Sequence, residues 1–276
     1  MNCPICSSNN PHEARFCVSC GIPLGPQGEL SPRAERRHEF APLDLSGLLE
    51  ETIAVYRRNF RSFVLIALLP QIPLFVFSLL PELDSGVFMV SVFAIFFLLY
   101  FLATAATVRA VALQYTERPI DVVDCYGKAW FKVISLVVSN MAFGLALIGA
   151  VVTIVGIPLF FYLIVVWYFF IECIMVEKTG PMAALWRSRD LVRGSYWRVL
   201  GIGGGYTVIV LALSVASLLI ASLLAESNVI LGGLATVGSS ALAAPIIWIG
   251  KTLVYFDLRV RKENYTIERL ASEIGV

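Results

Sequence analysis

Charge is scarce in this sequence. Only 15% of the 276 residues are charged, against roughly a quarter in an ordinary soluble domain, while 58% are hydrophobic. A soluble domain of this length cannot bury so much apolar side chain, so a soluble globular protein is excluded. The net charge of +1 gives no basic surface for a general nucleic-acid binder, and no nucleic-acid partner is expected.

Histidine and cysteine are scarce as well. The two histidines are His12 and His38, so the chain beyond residue 38 lacks the commonest general base, and we expect no enzymatic activity. Six cysteines are too few for a disulfide-rich secreted scaffold, and four of them fall within the first twenty residues. What remains is a set of long apolar runs and an N-terminal group of cysteines.

Long charge-free runs dominate the sequence from residue 62 onwards. A transmembrane helix needs about twenty mostly apolar residues, and the run 133–171 is long enough for two, with Gly156 and Pro158 at the break. The runs predict an all-α polytopic membrane domain over residues 43–276, with six transmembrane helices in three hairpins. The predicted spans are about 62–81, 87–108, 133–155, 158–176, 199–225 and 227–256.

Lysine and arginine lie on one side of these predicted spans. All 21 occur before the first span, in the second-to-third and fourth-to-fifth connections, or after the apolar core of the sixth span. The opposite turns contain only the acidic residues Glu82, Asp84 and Glu226. Because basic residues stay on the cytoplasmic side, both termini are predicted to be cytoplasmic, in a cell membrane such as the bacterial inner membrane.

The first 24 residues contain two Cys-x-x-Cys pairs, Cys3 with Cys6 and Cys17 with Cys20. Four thiolates at this spacing suit a tetrahedral structural zinc ion, and so short a segment needs the metal in order to fold. The segment also resembles the short zinc ribbons at the termini of many bacterial and archaeal proteins. The shared residues are Cys3-Pro4, Cys6, Asn10-Pro11, Ala14 to Cys17 and Cys20-Gly21. We therefore expect one structural Zn²⁺ per chain in a ribbon of residues 1–24, followed by a flexible linker of residues 25–42.

Two other interpretations of these cysteines are a disulfide-bonded pair and a redox-active dithiol. The reducing cytoplasm disfavours the disulfide. A dithiol enzyme normally carries one Cys-x-x-Cys pair in a thioredoxin-like context, whereas this segment has two. His12, between the two pairs, is a possible competing ligand, although a histidine in a solvated loop is the commoner case.

A short amphipathic segment precedes each predicted hairpin. Apolar residues recur at helical spacing over residues 43–63, after Pro119 and after Pro181, and residues 267–274 resemble a further copy without a hairpin. Each of the first three segments ends with an aromatic residue beside a basic one. These junctions are Phe60-Arg61, Trp130-Phe131-Lys132 and Tyr196-Trp197-Arg198. One explanation is a duplicated unit of interfacial helix and hairpin. The other is that any hairpin protein needs such anchors at its boundary.

Few polar residues occur within the predicted spans. Glu172 in the fourth span and Lys251 in the sixth are charged, and intramembrane charges are functional candidates by default. Both lie near a span end, where a side chain can snorkel, so a structural Glu172–Lys251 or Lys251–Asp257 pair is expected, with a functional role left open. Gly201 and Gly205 have the small-xxx-small spacing that lets two membrane helices approach closely.

Three stretches resemble a known membrane domain. They run from Trp186 to Gly201, from Thr252 to Glu263 and, as a weaker match, from Leu48 to Phe63. Together they are similar to the membrane domain that accompanies some bacterial glycerophosphodiester phosphodiesterases, and to its stand-alone relatives, over residues 43–270. The catalytic domain of those enzymes is a separate soluble barrel with its own histidines and acidic metal ligands. The resemblance therefore implies a membrane module without the phosphodiesterase activity.

These features favour a non-enzymatic membrane protein that engages anionic lipid or a membrane partner at the cytoplasmic leaflet, with the zinc ribbon docking a protein partner. The basic residues expected to contact lipid head groups are Arg57, Arg58, Arg61, Lys132, Arg187, Arg193 and Arg198. The alternative is a transporter or channel for a small or amphipathic solute. Its path would be lined by helices kinked at Pro70, Pro73, Pro158 and Pro245.

Overall fold

A computed structural model describes residues 2–3, 8–11, 14, 17–19, 42–79, 85–152 and 156–276. Over these ranges the chain is helical, without a strand and with one isolated antiparallel bridge, between Asn2 and Asn9. The helices are α1 (Leu45–Arg58), α2 (Phe60–Leu68), α3 (Gln71–Leu79), α4 (Gly86–Tyr115), α5 (Val122–Trp130), α6 (Val133–Val151), α7 (Gly156–Val166), α8 (Phe170–Val176), α9 (Pro181–Val192), α10 (Tyr196–Ser227), α11 (Val229–Glu263) and α12 (Ile267–Ile274).

Within the described ranges, five helical segments are long and apolar enough to cross a bilayer: α4, α6, α7 together with α8, α10 and α11. The helices α2 and α3 meet the same criterion as a pair, but they are bent by 51° around Leu69 and Pro70. The described part of the chain therefore has the all-helical character of a multi-pass membrane protein, with five candidate spans, or six if the bent pair forms one span. This confirms the apolar helical spans expected from the sequence. The first of them is not one straight helix, because Pro70 interrupts it.

The predicted amphipathic segments form α1, α5, α9 and α12, and local sequence explains where they begin. Asp44, Asp121 and Thr266 each accept a hydrogen bond from a backbone N–H in the first turn of α1, α5 and α12. For Asp44 the donor is the Gly47 N–H, and this bond lowers the pKa of the Asp44 carboxyl. The helix α9 begins at Pro181, a residue well suited to a first helical position because it has no N–H to leave unpaired.

The apolar core lies at the end of the bundle where these four short helices gather. Residues 110–114 of α4 and 252–261 of α11 are buried there, together with Leu48 of α1, Leu191 of α9 and Leu270 of α12. The opposite ends of the spans are exposed, and Val87 at the start of α4 is 80% exposed. In a bilayer, lipid would cover that apolar surface.

This packing explains why two spans continue past their predicted ends. The sequence places the ends of α4 and α11 near residues 108 and 256, but the helices continue to Tyr115 and Glu263. The charge-free runs stop short of the helix ends because charged residues follow them, Arg109 in α4 and Asp257 and Arg259 in α11. The last turns stay helical because the short helices bury their apolar side chains, including Val111 and Leu258.

The bend between α2 and α3 is stabilised by a residue of α5. Pro70 has no N–H, so the backbone carbonyl of Ile66, four residues earlier, loses its helical donor. The Tyr126 hydroxyl of α5 donates to that carbonyl at 2.6 Å. Because Ile66 is fully buried, no solvent could replace this donor. Tyr126 thus compensates for the proline.

A second break, between α7 and α8, is stabilised by a residue of α9. The helical hydrogen bonds are interrupted at residues 167–169, leaving the Val166 carbonyl and the Phe169 N–H in need of partners. The hydroxyl of Ser188 donates to the Val166 carbonyl at 2.9 Å and accepts from the Phe169 N–H at 3.0 Å. Ser188 is fully buried. One hydroxyl therefore satisfies both groups exposed by the break.

The close contacts between α10 and α11 do not involve the predicted pair of glycines. A Cβ added at Gly201 or Gly205 would meet no atom within 4 Å, so the expectation that they mediate close approach is wrong. Two tight contacts are made by glycines of α11: a Cβ on Gly232 would lie 2.6 Å from the Ala225 Cβ, and a Cβ on Gly250 would lie 2.5 Å from the Tyr206 ring. Tyr206 is held there by hydrogen bonds of its hydroxyl with Thr52 and with the Leu48 carbonyl of α1.

We expect Gly250→Ala to destabilise the protein by about 1–3 kcal/mol, because the new methyl group would collide with a ring that cannot move freely. The measurement is the midpoint of denaturant unfolding of the purified protein in detergent. Gly204→Ala is the matched control, since a Cβ there meets nothing within 4 Å. Equal effects of the two variants would contradict the proposed packing of Tyr206 against Gly250.

Candidate functional site

Two of the four N-terminal cysteines, Cys3 and Cys17, belong to the described residues, and both are buried. Cys3 and Cys17 are 2% and 0% exposed, whereas Cys6, Cys20 and His12 lie outside the described residues. The backbone N–H of Cys3 donates to the Ser8 carbonyl at 2.9 Å, and the adjacent bridge pairs Asn2 with Asn9. Residues 2–3 therefore lie against residues 8–9.

The second cysteine pair begins beside these residues. The Ser8 hydroxyl and the Cys17 sulfur are hydrogen-bonded at 3.1 Å. The Asn10 side chain accepts from the Val18 N–H at 2.8 Å and donates to the Ser8 carbonyl at 2.8 Å. These contacts hold Cys17 beside Ser8, whose carbonyl also accepts from the Cys3 N–H. Within the described ranges no three metal-binding side chains come together, since they include only two of the four cysteines.

The basic residues predicted to contact lipid fall into three groups. Arg57, Arg58, Arg61 and Arg193 are exposed, and none of them forms a salt bridge with another described residue. Lys132, at the start of α6, is half-buried. The remaining two, Arg187 and Arg198, are both half-buried and engaged in ion pairs within the protein. The sequence alone did not distinguish these groups.

Arg187 joins α9 to the end of α11. Its guanidinium contacts the Glu177 carboxylate at 2.7 Å and also forms a salt bridge with Glu263. Burial lowers the pKa of Arg187, but the hydrogen bonds to Glu177 and Glu263 outweigh it and hold the pKa above its usual value. Tyr255 donates its hydroxyl proton to the other oxygen of Glu177 at 2.8 Å. Arg187 is therefore part of a network that orders one end of the bundle.

Arg198 takes part in a second network, which fixes the start of α1. Arg198 and Arg261 both contact the buried Asp257 carboxylate, at 2.9 and 3.0 Å. The Leu43 N–H donates to Asp257 at 2.9 Å, and both arginines donate to the Leu43 carbonyl. The backbone just after the predicted linker is thereby fastened to α10 and α11 by charge-assisted hydrogen bonds.

A third network attaches the C-terminal helix. Arg259, with no exposed side-chain surface, contacts the Glu273 carboxylate at 2.7 Å and lies 3.7 Å from the centre of the Tyr265 ring. The Tyr265 hydroxyl donates to Glu273 at 2.6 Å. Burial raises the pKa of the Glu273 carboxyl, but the hydrogen bonds from Arg259 and Tyr265 outweigh it and leave the pKa below its usual value. Sequence reasoning missed this role of Arg259. The sequence feature that could have indicated it is that Arg259 is flanked by the apolar residues Leu258 and Val260, which are buried in the helix.

The two intramembrane charges form a pair. Lys251 Nζ lies 3.2 Å from Glu172 Oε2, while Asp257, the other candidate partner of Lys251, is occupied by arginines. The Glu172 side chain is fully buried and that of Lys251 is 12% exposed. The lysine ammonium also lies 5.2 Å from the centre of the Tyr168 ring. Of the two pairings expected from the sequence, the structure contains Glu172–Lys251.

Replacing either partner should have unequal effects. Lys251→Met leaves a fully buried carboxylate uncompensated, and breaking such a pair costs about 3–5 kcal/mol. Glu172→Leu should cost less, since the Lys251 side chain already reaches the surface and can snorkel further. Both variants are to be compared with wild type by denaturant unfolding in detergent.

The double variant Glu172→Leu/Lys251→Met supplies the control. It removes both charges, and replacement of a buried ion pair by apolar residues is often neutral. A double variant no more stable than Lys251→Met alone would contradict the view that the carboxylate left behind causes the loss.

No protein-family model, curated protein or solved structure matches this chain. The assignment as a membrane protein rests on the length and apolar character of its helices. Its function must be argued from the contacts described above and from the sequence motifs.

Proposed function

We propose that this chain is a non-enzymatic, multi-pass protein of the cell membrane that engages anionic lipid at the cytoplasmic leaflet. The observation that carries the proposal is the exposure of an aromatic side chain beside each of three basic residues. Phe131, before Lys132, is 84% exposed, Trp197, before Arg198, is 80% exposed, and Phe60, before Arg61, is 45% exposed. Each junction stands at the start of a candidate span or, for Phe60, of the bent pair.

A lipid surface suits these junctions better than water does. Aromatic rings favour the boundary between head groups and acyl chains, and basic residues favour an anionic leaflet. The segregation of lysine and arginine supports placing this end of the bundle, with both termini, on the cytoplasmic side. The four short helices at this end would then lie at the leaflet surface while also packing on the spans.

The ion pairs refine which residues serve this role. Arg187 and Arg198 hold helices together, so their contribution to head-group contact is secondary. Arg57, Arg58 and Arg61 are exposed near the junction of α1 and α2, next to the exposed Phe60 ring. We infer that these three residues, with Arg193 and Lys132, provide the main electrostatic attraction to lipid.

We expect the triple variant Arg57→Gln/Arg58→Gln/Arg61→Gln to retain less anionic phospholipid on purification. A basic residue near an anionic leaflet contributes about 1 kcal/mol, so three should have a measurable effect. The measurement is quantification of co-purified phosphatidylglycerol by mass spectrometry. The control is Arg33→Gln/Arg36→Gln/Arg37→Gln in the predicted linker, which removes the same charge away from an aromatic anchor. Equal losses would show that net charge alone attracts the lipid.

The second part of the proposal is a zinc ribbon that docks a protein partner. Cys3, Cys6, Cys17 and Cys20 would hold one structural Zn²⁺, and four thiolates leave no open position for catalysis. The burial of Cys3 and Cys17 and the hydrogen bond between Ser8 and Cys17 support this assignment. The metal would supply the folding free energy of a segment too short for an apolar core.

Purified protein should contain about one zinc ion per chain, measured by elemental analysis, because four thiolates make one tetrahedral site. Cys17→Ser should release the metal and leave membrane insertion intact, since the predicted linker separates ribbon and spans. Ser19→Ala, one residue before Cys20, is the control that keeps all four thiols. Zinc that persists after replacement of all four cysteines would place the metal elsewhere.

The structure also bears on the alternative of a transporter or channel. The observation in its favour is the presence of two broken spans, at α2/α3 and α7/α8, since irregular backbone at membrane depth can line a path. Both breaks, however, have their polar groups paired with Tyr126 and Ser188. Backbone groups that are already hydrogen-bonded to Tyr126 and Ser188 are not available to a solute. This supports a structural function for the breaks, and we therefore rank lipid engagement above transport.

The two main motifs of the resemblance to the phosphodiesterase-associated membrane domain contact each other in this chain. The stretch Trp186 to Gly201 and the stretch Thr252 to Glu263 are far apart in sequence, yet Arg187 pairs with Glu263 and Arg198 with Asp257. The motifs that carry the resemblance thus form one ion-paired unit. We propose that this chain is a stand-alone relative of that domain.

A further inference from the structure

The helix α5 has apolar side chains on both of its faces. On the inner face Cys125 and Ala129 are fully buried against the core. Burial on this inner face raises the pKa of the Cys125 thiol to about 12. On the outer face Val123 is 79% and Trp130 59% exposed. A helix that buries one apolar face and exposes another needs an apolar partner on the exposed side.

The exposed face of α5 continues into the start of a span. Phe131 and Ile134, 84% and 77% exposed, extend the same surface to the first turn of α6. Lys128 and Lys132 lie beside it. Apolar and aromatic side chains flanked by lysines, adjoining a membrane span, match the boundary between head groups and acyl chains. We call Val123, Trp130, Phe131 and Ile134 the outer face of α5.

The helix α5 also contacts α2 of the bent pair α2/α3, the first candidate span. The Tyr126 hydroxyl donates to the Ile66 carbonyl, which Pro70 deprives of its helical donor. A second attachment is the salt bridge between Asp124 of α5 and Arg109 of α4, at 2.9 Å. A displacement of α5 would therefore remove the donor from a buried carbonyl at the bend, and that loss is costly in an apolar environment.

We propose that the outer face of α5 inserts into the lipid surface and that this insertion, through Tyr126, stabilises the bend between α2 and α3. The inference rests on the proposed function, because it places this end of the bundle at the lipid leaflet. It adds a specific lipid-contacting surface, the outer face of α5, and an effect of that contact on the structure of a membrane span. Contact of α5 with lipid would set the stability of the bend in the first candidate span.

Hydrogen–deuterium exchange on the full chain, in vesicles of phosphatidylcholine with phosphatidylglycerol, tests this coupling. Tyr126→Phe removes only the hydroxyl, and a membrane hydrogen bond worth about 0.6 kcal/mol corresponds to about threefold faster exchange. We expect that increase in the amides of residues 67–69, 71 and 72, with residues 167–170 at the other break unchanged. Trp130→Ser/Phe131→Ser keeps Tyr126 but weakens the outer face, and it should produce an increase in the same segment.

Trp186→Ser is the matched control, since Trp186 is also exposed, at 57%, but lies on α9. It should leave exchange in residues 67–69, 71 and 72 at the wild-type rate. The coupling would be overturned if Tyr126→Phe had no effect on these amides. It would equally be overturned if Tyr126→Phe raised exchange while Trp130→Ser/Phe131→Ser did not, because α5 would then hold the bend without lipid. Should the double variant exchange rapidly everywhere, the single variants Trp130→Ser and Phe131→Ser decide by the same criterion.

These outcomes are separate from those of the proposed function. Loss of phosphatidylglycerol from the Arg57/Arg58/Arg61 variant tests head-group attraction and does not depend on Tyr126. Normal lipid retention in that variant, together with the expected exchange pattern, would support lipid contact by the outer face of α5 and refute electrostatic attraction of lipid by Arg57, Arg58 and Arg61. Reduced retention with unchanged exchange in both α5 variants would refute the coupling alone.

Discussion

A backbone carbonyl inside a bilayer must have a hydrogen-bond donor, because no water is present to supply one. In this chain the helical hydrogen bonds are interrupted at Pro70 and again at residues 167–169, so backbone carbonyls there need another donor. In each case the donor is a hydroxyl from a short helix that packs beside the span, Tyr126 of α5 and Ser188 of α9. The positions of the short helices are therefore tied to the breaks in the spans.

The ion-pair networks answer a related requirement at the end of the bundle. Arg259 is fully buried and Asp257 nearly so, and buried charges are tolerated only when paired and hydrogen-bonded. Each is satisfied by groups from other helices: Glu273 of α12 for Arg259, and Arg198 of α10 for Asp257. The geometry of the buried charges thus specifies which helix ends meet, in addition to the non-directional packing of the apolar core.

Features determined by local sequence were predictable. The apolar runs predicted the spans, and the helical spacing of apolar residues predicted α1, α5, α9 and α12. The pairing of Glu172 with Lys251 could be anticipated because few other charges occur at membrane depth. The bend at Pro70 was also anticipated, since proline lacks the N–H that a continuous helix requires.

Features that depend on how helices are rotated and packed were not predictable. The Gly201–Gly205 spacing indicates a close contact but not which way that face of α10 points, and the tight contacts occur at Gly232 and Gly250 of α11 instead. A basic residue beside a span is compatible with lipid contact and with an internal ion pair. Only the positions of Glu177, Glu263 and Asp257 in three dimensions show that Arg187 and Arg198 form ion pairs. The sequence likewise does not show that Tyr126 and Ser188 donate to the carbonyls at the two breaks, because this also depends on how the helices pack.

The three hydroxyls from α1, α5 and α9 bear on the meaning of the threefold pattern. Tyr56 of α1 donates to the Leu242 carbonyl of α11 at 3.0 Å. Pro245 removes the helical donor of the Ala241 carbonyl, four residues before it, so Tyr56 does not replace a bond lost at a proline. In α5 and α9 the hydroxyl satisfies a break in a span, whereas in α1 it contacts a continuous helix. Anchoring at the membrane boundary would explain the aromatic and basic junctions but not a hydroxyl from each short helix that reaches a carbonyl of a span. That shared contact favours a duplicated structural unit over three independent membrane anchors, with the pairing of a break added in two of the three units.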